Sequence, residues 1–332
     1  MKMKIQPLKI KFIGFLLLLL LFSGCSSKEI SPISKTGFAF DTVVTITLYD
    51  SKDTELLDSC FSLCADYEQL FSKTIATSDI GRINTSKGQP VAVSEETAYL
   101  LSKAIEYSSL SDGLFDVTIA PVDALWDFNS EAAATNHAVP PSAADISSAL
   151  THVNYHNIIL SDDTVTLLDP DASIDLGGIA KGYIADRLKK HLVAHGVQSA
   201  IIDLGGNILT IGTKPDGSKF HIGIKRPFDP SGDIMTAVDA ADNSVVTSGI
   251  YERCFTYEDR LYHHILSTAT GYPADSDLNS VTIISASSLD CDALSTICLI
   301  KGLEDSMALI ESIPDTEAVF ITKDDQVYTT LP

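Results

Sequence analysis

From residue 158 to the C-terminus the chain reads as a run of short apolar segments broken by turn residues. They fall at 158–168, 199–203, 208–212, 220–224, 234–240, 244–248, 262–266, 280–286 and 317–329. Only two stretches in that region have helical period, about 178–195 and 289–313. Strands this short, with helices at irregular intervals, do not build a regular βαβ winding, because each parallel pair needs its own crossover. The pattern predicts an α+β fold of mixed or antiparallel sheets flanked by helices. Upstream, Phe38 to Tyr49 alternates like a strand, and Leu56, Cys60, Leu63, Tyr67 and Leu70 recur at helical spacing over 54–72. A loop is expected from Ser72 to Asn84, and Ser94-Glu95-Glu96 before Ala98, Leu101 and Ile105 marks a second helix. Residues 127–142 read as an exposed insertion.

The N-terminus has a different character. Lys2, Lys4, Lys9 and Lys11 precede an uncharged apolar stretch, Phe12 to Phe22, that is short for a bilayer span. It ends in Leu21-Phe22-Ser23-Gly24-Cys25. Small residues before a Cys at the end of such a stretch resemble the lipobox of bacterial lipoproteins. The expectation is a signal peptide over 1–24, lipid attachment on Cys25, a tether over 25–36, and one unit over 37–332. The alternative is an uncleaved N-terminal anchor. Either way the protein is expected to be exported and held at a membrane. The remaining cysteines, Cys60, Cys64, Cys254, Cys291 and Cys298, are odd in number and contain no CxxC, so no disulfide framework is expected.

Charge narrows the partners. Lys+Arg number 23 and Asp+Glu 44, a formal charge of −21. Such a surface repels nucleic acid, so no nucleic-acid partner is expected. A phosphate ligand has to be held locally, by backbone amides, a cation or a placed Lys.

Three constellations could do so. Ile174-Asp175-Leu176-Gly177-Gly178 is echoed by Ile202-Asp203-Leu204-Gly205-Gly206. The first copy runs on through Ile179-Ala180-Lys181-Gly182-Tyr183 into a helical pattern. A helix N-terminus offers free N–H groups and a positive dipole end, and Lys181 adds a cation. A plain tight turn would look the same. Second, Asp292 and Thr296 share a helix face, a carboxylate and a hydroxyl suited to a hard cation such as Mg²⁺. Helix capping by Asp290 or Asp292 is the simpler alternative. Third, the imidazoles of His263 and His264 face opposite sides of a strand, so one could line a cleft as a general base.

In order along the chain, Ser78-Asp79-Ile80 with Arg82-Ile83-Asn84, Phe115-Asp116-Val117-Thr118, Asp175 to Tyr183, Thr247-Ser248-Gly249, His264-Ile265 and Asp292 to Thr296 resemble the ApbE family of FAD:protein FMN transferases. The likeness runs from Phe40-Asp41-Thr42 to about Gly302. It implies binding of FAD with Mg²⁺, cleavage of the diphosphate, and attachment of FMN by a phosphoester to a Thr or Ser of an exported acceptor protein, with release of AMP. It implies that the Gly178 carbonyl, Asp292 and Thr296 hold the metal. It further implies that Asp175 and Lys181 contact FAD, and that the loop at Ser72–Ser78, including Thr74 and Ser78, lines the ligand pocket with Leu114, Phe115 and Asp116. By the same likeness His264 is the base and Ile265 touches FAD.

Two departures stand out. Many members carry an aromatic residue where Thr74 stands, and usually Asp-Pro before the Thr-Gly that follows the His. This chain reads Leu266-Ser267-Thr268-Ala269-Thr270-Gly271. A Mg²⁺-dependent FAD pyrophosphatase, or a flavin-binding lipoprotein without catalysis, are the alternative functions.

Overall fold

The computed structural model describes residues 31–332 apart from Asp127, Asn129 and Asn136. The expected signal peptide and Cys25 lie outside the described residues. Among the described residues no helix is long and apolar enough to cross a membrane. Residues from Pro32 to Pro332 form one compact unit.

The elements run in chain order as β1 (Ile33–Ala39), β2 (Thr42–Leu48), α1 (Thr54–Phe71), α2 (Asp79–Thr85), β3 (Val91–Ala92), α3 (Glu95–Leu110), α4 (Ala120–Trp126), α5 (Glu131–Ala134), α6 (Ala143–Leu150), β4 (Ile158–Ser161), β5 (Thr164–Leu167) and α7 (Ala180–Ala194). They continue as β6 (Ala200–Leu204), β7 (Asn207–Ile211), β8 (Phe220–Lys225), β9 (Ile234–Ala240), β10 (Ser244–Gly249), β11 (Cys254–Tyr257), β12 (Arg260–His263), β13 (Leu278–Ser285), α8 (Ser288–Lys301), α9 (Leu303–Glu311), β14 (Glu317–Thr322) and β15 (Val327–Thr329).

Eight strands form the main sheet in the order β1-β2-β6-β7-β10-β13-β14-β15. Every pairing in it is antiparallel, which bears out the α+β reading. Successive side chains of a strand point to opposite faces. Accordingly Val246, Val281, Ile283 and Phe320 meet the helices in the main core, while Val245, Ile284, Val319 and Ile321 meet the β8–β9 hairpin on the other side. Both faces of the central strands are therefore dry. Each fully buried aliphatic side chain here contributes roughly 1.5–3 kcal/mol by removal from water.

Helices α1, α7 and α8 cover the first face. In α1 the buried residues are Leu56, Leu57, Cys60, Cys64, Tyr67 and Phe71, the expected stripe. Burial pushes the Cys60 and Cys64 thiols up to about 12, so both behave as small apolar side chains. Caps set the helix starts: Asp53 Oδ1 accepts from Leu56 N at 3.0 Å, and Ser94 and Ser287 do the same for α3 and α8. Each such cap is worth about 1 kcal/mol.

Several boundaries differ from the sequence reading. The strand expected at 38–49 is a hairpin, turned by Phe40 and Asp41 at φ 55 and 57°. Its first arm starts at Ile33, inside the expected tether, because pairing with β2 satisfies the backbone of that polar stretch. The segments 158–168 and 317–329 are likewise hairpins. The helix at 289–313 breaks at Gly302, whose φ of 82° ends α8, while Asp277 Oδ1 accepts the Leu303 amide at 3.0 Å to start α9. The loop 72–84 contains α2, capped by Ser78. The segment 127–142 is not a free insertion: Phe128, Ala133 and Ala138 join Trp126, Ile146, Phe255 and Tyr262 in a satellite core. Trp126 Nε1 donates to Gly271 O at 2.9 Å and ties that core to the segment after His264.

Candidate active site

The two Gly-Gly copies have different fates. The second closes the β6–β7 hairpin, with Gly205 and Gly206 at φ 66 and 92°. A Cβ on Gly205 would stand 1.8 Å from Thr42 Oγ1, so only glycine fits. The first copy leads into α7. No extended strand precedes it; Ser173 makes an isolated parallel bridge with Ile119 instead.

What holds this first turn comes from the other motifs. Asn84 accepts the Ile174 amide at 2.7 Å and donates to the Ile174 carbonyl at 2.9 Å, as a neighbouring strand would. Val117 O accepts the Asp175 amide at 2.8 Å. Asp116 anchors that segment in turn. Its Oδ1 accepts from Thr118 N and Oγ1 at 2.8 and 2.6 Å, and its Oδ2 accepts from Tyr155 N at 2.8 Å. Burial raises the Asp116 pKa above the usual carboxylate range against those hydrogen bonds. Asp116 borders the cleft, but all its visible hydrogen bonding is to the fold. Ser78 is corrected outright: it is fully buried, does not line the cleft, and its Oγ caps α2 by accepting from Gly81 N at 2.8 Å.

The glycine turn opens onto a cleft of about 1100 Å³. Into it face Thr74, Leu114, Phe115, Asp175, Gly178, Lys181, His264, Ile265, Asp292 and Thr296, residues from opposite ends of the sequence. Close helix packing explains part of this. A Cβ on Gly182 would lie 2.2 Å from Ser288 O, so glycine lets α7 touch α8. At that contact Gly182 N donates to Asp292 Oδ2 at 2.9 Å. Asp292 Oδ1 is 3.7 Å from Lys181 Nζ, too long for a hydrogen bond. Ser287 caps α8, so neither Asp290 nor Asp292 performs that role, and the buried Asp292 carboxylate is left to the cleft. The Thr296 hydroxyl lies one turn on, beside Gly178, where an added Cβ would be 3.8 Å from Thr296 Oγ1. Ser248 meets Ser295 Oγ at 2.7 Å and Thr296 Oγ1 at 3.4 Å, which fixes the Thr-Ser-Gly motif against the same helix. The Asp292 carboxylate and the Thr296 hydroxyl, with the Gly178 backbone beside them, are oxygen donors of the kind a hard cation takes.

His263 and His264 do part company. His263 is buried and ends β12, with its Nδ1 unpartnered. His264 follows the strand and lines the cleft. Its Nδ1 lies 3.3 Å from Arg253 O. A carbonyl can only accept, so Nδ1 carries the proton and Nε2 the lone pair. Burial first, then the Arg253 and His263 charges, pull the His264 pKa down to about 3, so the ring is neutral.

Asp175, expected to contact FAD, is hydrogen-bonded within the fold. Its Oδ1 accepts from Gly177 N at 2.8 Å, and its Oδ2 accepts from Lys73 Nζ at 2.7 Å. Lys73, Asp123 and Arg253 also line the cleft and were not singled out by the sequence, whereas Ser248 arrives there from the Thr247-Ser248-Gly249 motif. Lys73 stands inside the loop Ser72–Ser78, but nothing local distinguishes it or Arg253 from surface cations.

An antiparallel α+β scaffold that brings an imidazole, a lysine and a carboxylate–hydroxyl pair into one cleft is an arrangement of the kind enzymes use. The chain belongs to the ApbE family, whose family model matches residues 40–320. It is 37% identical over 292 residues to a FAD:protein FMN transferase of Klebsiella pneumoniae (strain 342), covering 87% of this chain and 89% of that one. A FAD:protein FMN transferase of Treponema pallidum (strain Nichols) is 31% identical over 337 residues, covering 95% and 92%. Among solved structures, the ApbE protein of Thermotoga maritima superposes with a TM-score of 0.81 at 29% identity, covering 90% of this chain and 96% of that one. The flavinyl transferase ApbE of Pseudomonas stutzeri gives 0.78 at 28% identity, covering 90% and 94%.

Proposed function

We propose that the chain transfers FMN from FAD to a Thr or Ser hydroxyl of an acceptor protein and releases AMP. The observation that carries the reading is the meeting, in one cleft, of Asp292, Thr296, Gly178 and Lys181 with a neutral His264. Family membership and the names of the relatives support it.

The oxygen donor set of Asp292, Thr296 and Gly178 fits Mg²⁺, which prefers carboxylate and neutral oxygens and leaves other positions to phosphate. Bound there, Mg²⁺ would supply charge neutralisation at the diphosphate oxygens. Lys181 and the N-terminus of α7 add positive potential to the same region. The acceptor hydroxyl is a weak nucleophile, so His264 Nε2 takes its proton as the oxygen attacks the flavin-side phosphorus. The bond from that phosphorus to the bridging oxygen breaks, and AMP leaves with the oxygen and its electron pair. The imidazolium of His264 then hands the proton to solvent and returns to neutrality. Phosphoryl transfer of this type depends mainly on alignment and charge stabilisation, which these groups provide.

The test is incubation with FAD, Mg²⁺ and a candidate exported acceptor. Gain of one FMN less one water on the acceptor, with AMP in equal amount, supports transfer. Free FMN without that gain makes the chain a pyrophosphatase, and no AMP at all makes it a binder. We also propose, from the lipobox-like Leu21-Phe22-Ser23-Gly24-Cys25 alone, that the protein is exported and held on a lipid anchor at Cys25. Palmitate label that persists in a Cys25→Ser variant would contradict the anchor.

A further inference from the structure

One charged group in the cleft has no part in the scheme above. Lys73 Nζ sits 2.5 Å from Asp123 Oδ2 and 2.7 Å from Asp175 Oδ2. The three side chains come from separate pieces of chain: the loop after α1, the helix α4, and the turn before α7. All three line the cleft, and their side chains are 36, 27 and 22% exposed. Their charges are therefore felt by whatever occupies it. Burial alone would lower the Lys73 pKa, but the Asp175 and Asp123 carboxylates outweigh it and hold the ammonium above the ordinary lysine value. The group stays cationic across the working range.

The surroundings make that cation matter. Seven acidic side chains line the cleft against three basic ones, Lys73, Lys181 and Arg253. A wall so acidic opposes an anionic dinucleotide, and low-dielectric walls strengthen the opposition. Lys181 is occupied near Asp292, so Lys73 is the cation that answers Asp123 and Asp175.

We propose that Lys73 is a specificity-determining residue which neutralises Asp123 and Asp175 and thereby makes this wall of the cleft compatible with a diphosphate-bearing flavin nucleotide. The inference rests on the FAD reading and adds to it the electrostatic condition for that ligand to enter. In the same cleft the Asp175 carboxylate orders the glycine turn through Gly177 and is held in check by Lys73.

Lys73 also ties three segments together, and that mechanical role must be separated from the electrostatic one. The experiment measures FAD affinity of the full chain by flavin fluorescence, with Mg²⁺ present, at low and high ionic strength. Lys73→Met should weaken FAD about tenfold at low salt, with the deficit shrinking as salt screens the exposed carboxylates. Lys73→Met combined with Asp123→Asn should return affinity to within about threefold of the parent, because one repelling charge has gone while the tie remains cut. Thermal melts of both variants check that each is folded. If Lys73→Met binds like the parent, or if Asp123→Asn restores nothing, the proposal is overturned while the transferase reading stands. If the unsubstituted chain binds no FAD, the transferase reading falls and takes this inference with it.

Discussion

Substituting Gly182 by Ala tests how helix packing builds the site. The added Cβ would lie 2.2 Å from Ser288 O, 2.7 Å from Ser288 C and 2.7 Å from Leu289 Cα, all backbone atoms. No rotamer change relieves contacts with backbone, so α7 and α8 must separate by about an ångström. Overpacking of this kind costs typically 1–3 kcal/mol. The shift also stretches the 2.9 Å bond from Gly182 N to the buried Asp292 carboxylate, and a hydrogen bond to a charged group is worth roughly 1.5–3 kcal/mol. The expected total is about 2.5–6 kcal/mol, a large share of the 5–15 kcal/mol typical of a domain. Urea unfolding should show the midpoint falling by that equivalent. A Mg²⁺ titration of AMP release from the folded fraction should show half-activation moved to higher concentration, since Asp292 and Thr296 move relative to Gly178. An unchanged midpoint with an unchanged Mg²⁺ response would refute the idea that this contact positions the carboxylate.

Other outcomes follow from single groups. His264→Ala should keep FAD affinity within about threefold and slow single-turnover acceptor labelling by roughly 10²–10⁴, the range for loss of a general base; loss of FAD binding would make the ring structural. His263 is buried, and burial pulls its pKa down to about 4. Between the unfolded value near 6.5 and about 4 the unfolded chain binds one more proton there, so stability falls with falling pH by about 1.4 kcal/mol per pH unit and is flat above. Asp186, pushed up to about 6 by burial, acts in the opposite sense between 6 and 3.8, so the comparison must be between variants. His263→Leu should narrow the gap between urea midpoints measured at pH 7 and pH 5; an equal gap would count against a buried neutral ring.

What the sequence made legible was what lies close along the chain. The stripe of α1, the Asp292–Thr296 face of α8 and the turn Gly177-Gly178 before α7 are each set by neighbours within a few residues, and each stands where expected. The turn Phe40-Asp41 went unseen because Phe40 is not a usual left-handed turn former and no glycine marks the reversal; the pairing of β1 with β2 imposes the conformation. Lys73 meets Asp175 across 102 residues of sequence, and only the packed fold brings them together. The family likeness implied that Ser78 and Asp116 line the ligand pocket; Asp116 does border the cleft, its carboxylate tied to Thr118 and Tyr155, whereas Ser78 is consumed by the cap of α2. The partner of each polar atom had to come from the packing.

The central claim is that the Asp292 carboxylate at the α7–α8 contact serves FMN transfer. The direct measurement is intact-mass analysis of an acceptor incubated with FAD and Mg²⁺ and either the parent chain or its Asp292→Ala variant, with circular dichroism confirming that the variant is folded. The predicted result is one FMN added per acceptor with the parent and none with the folded variant. Equal labelling by both would contradict it.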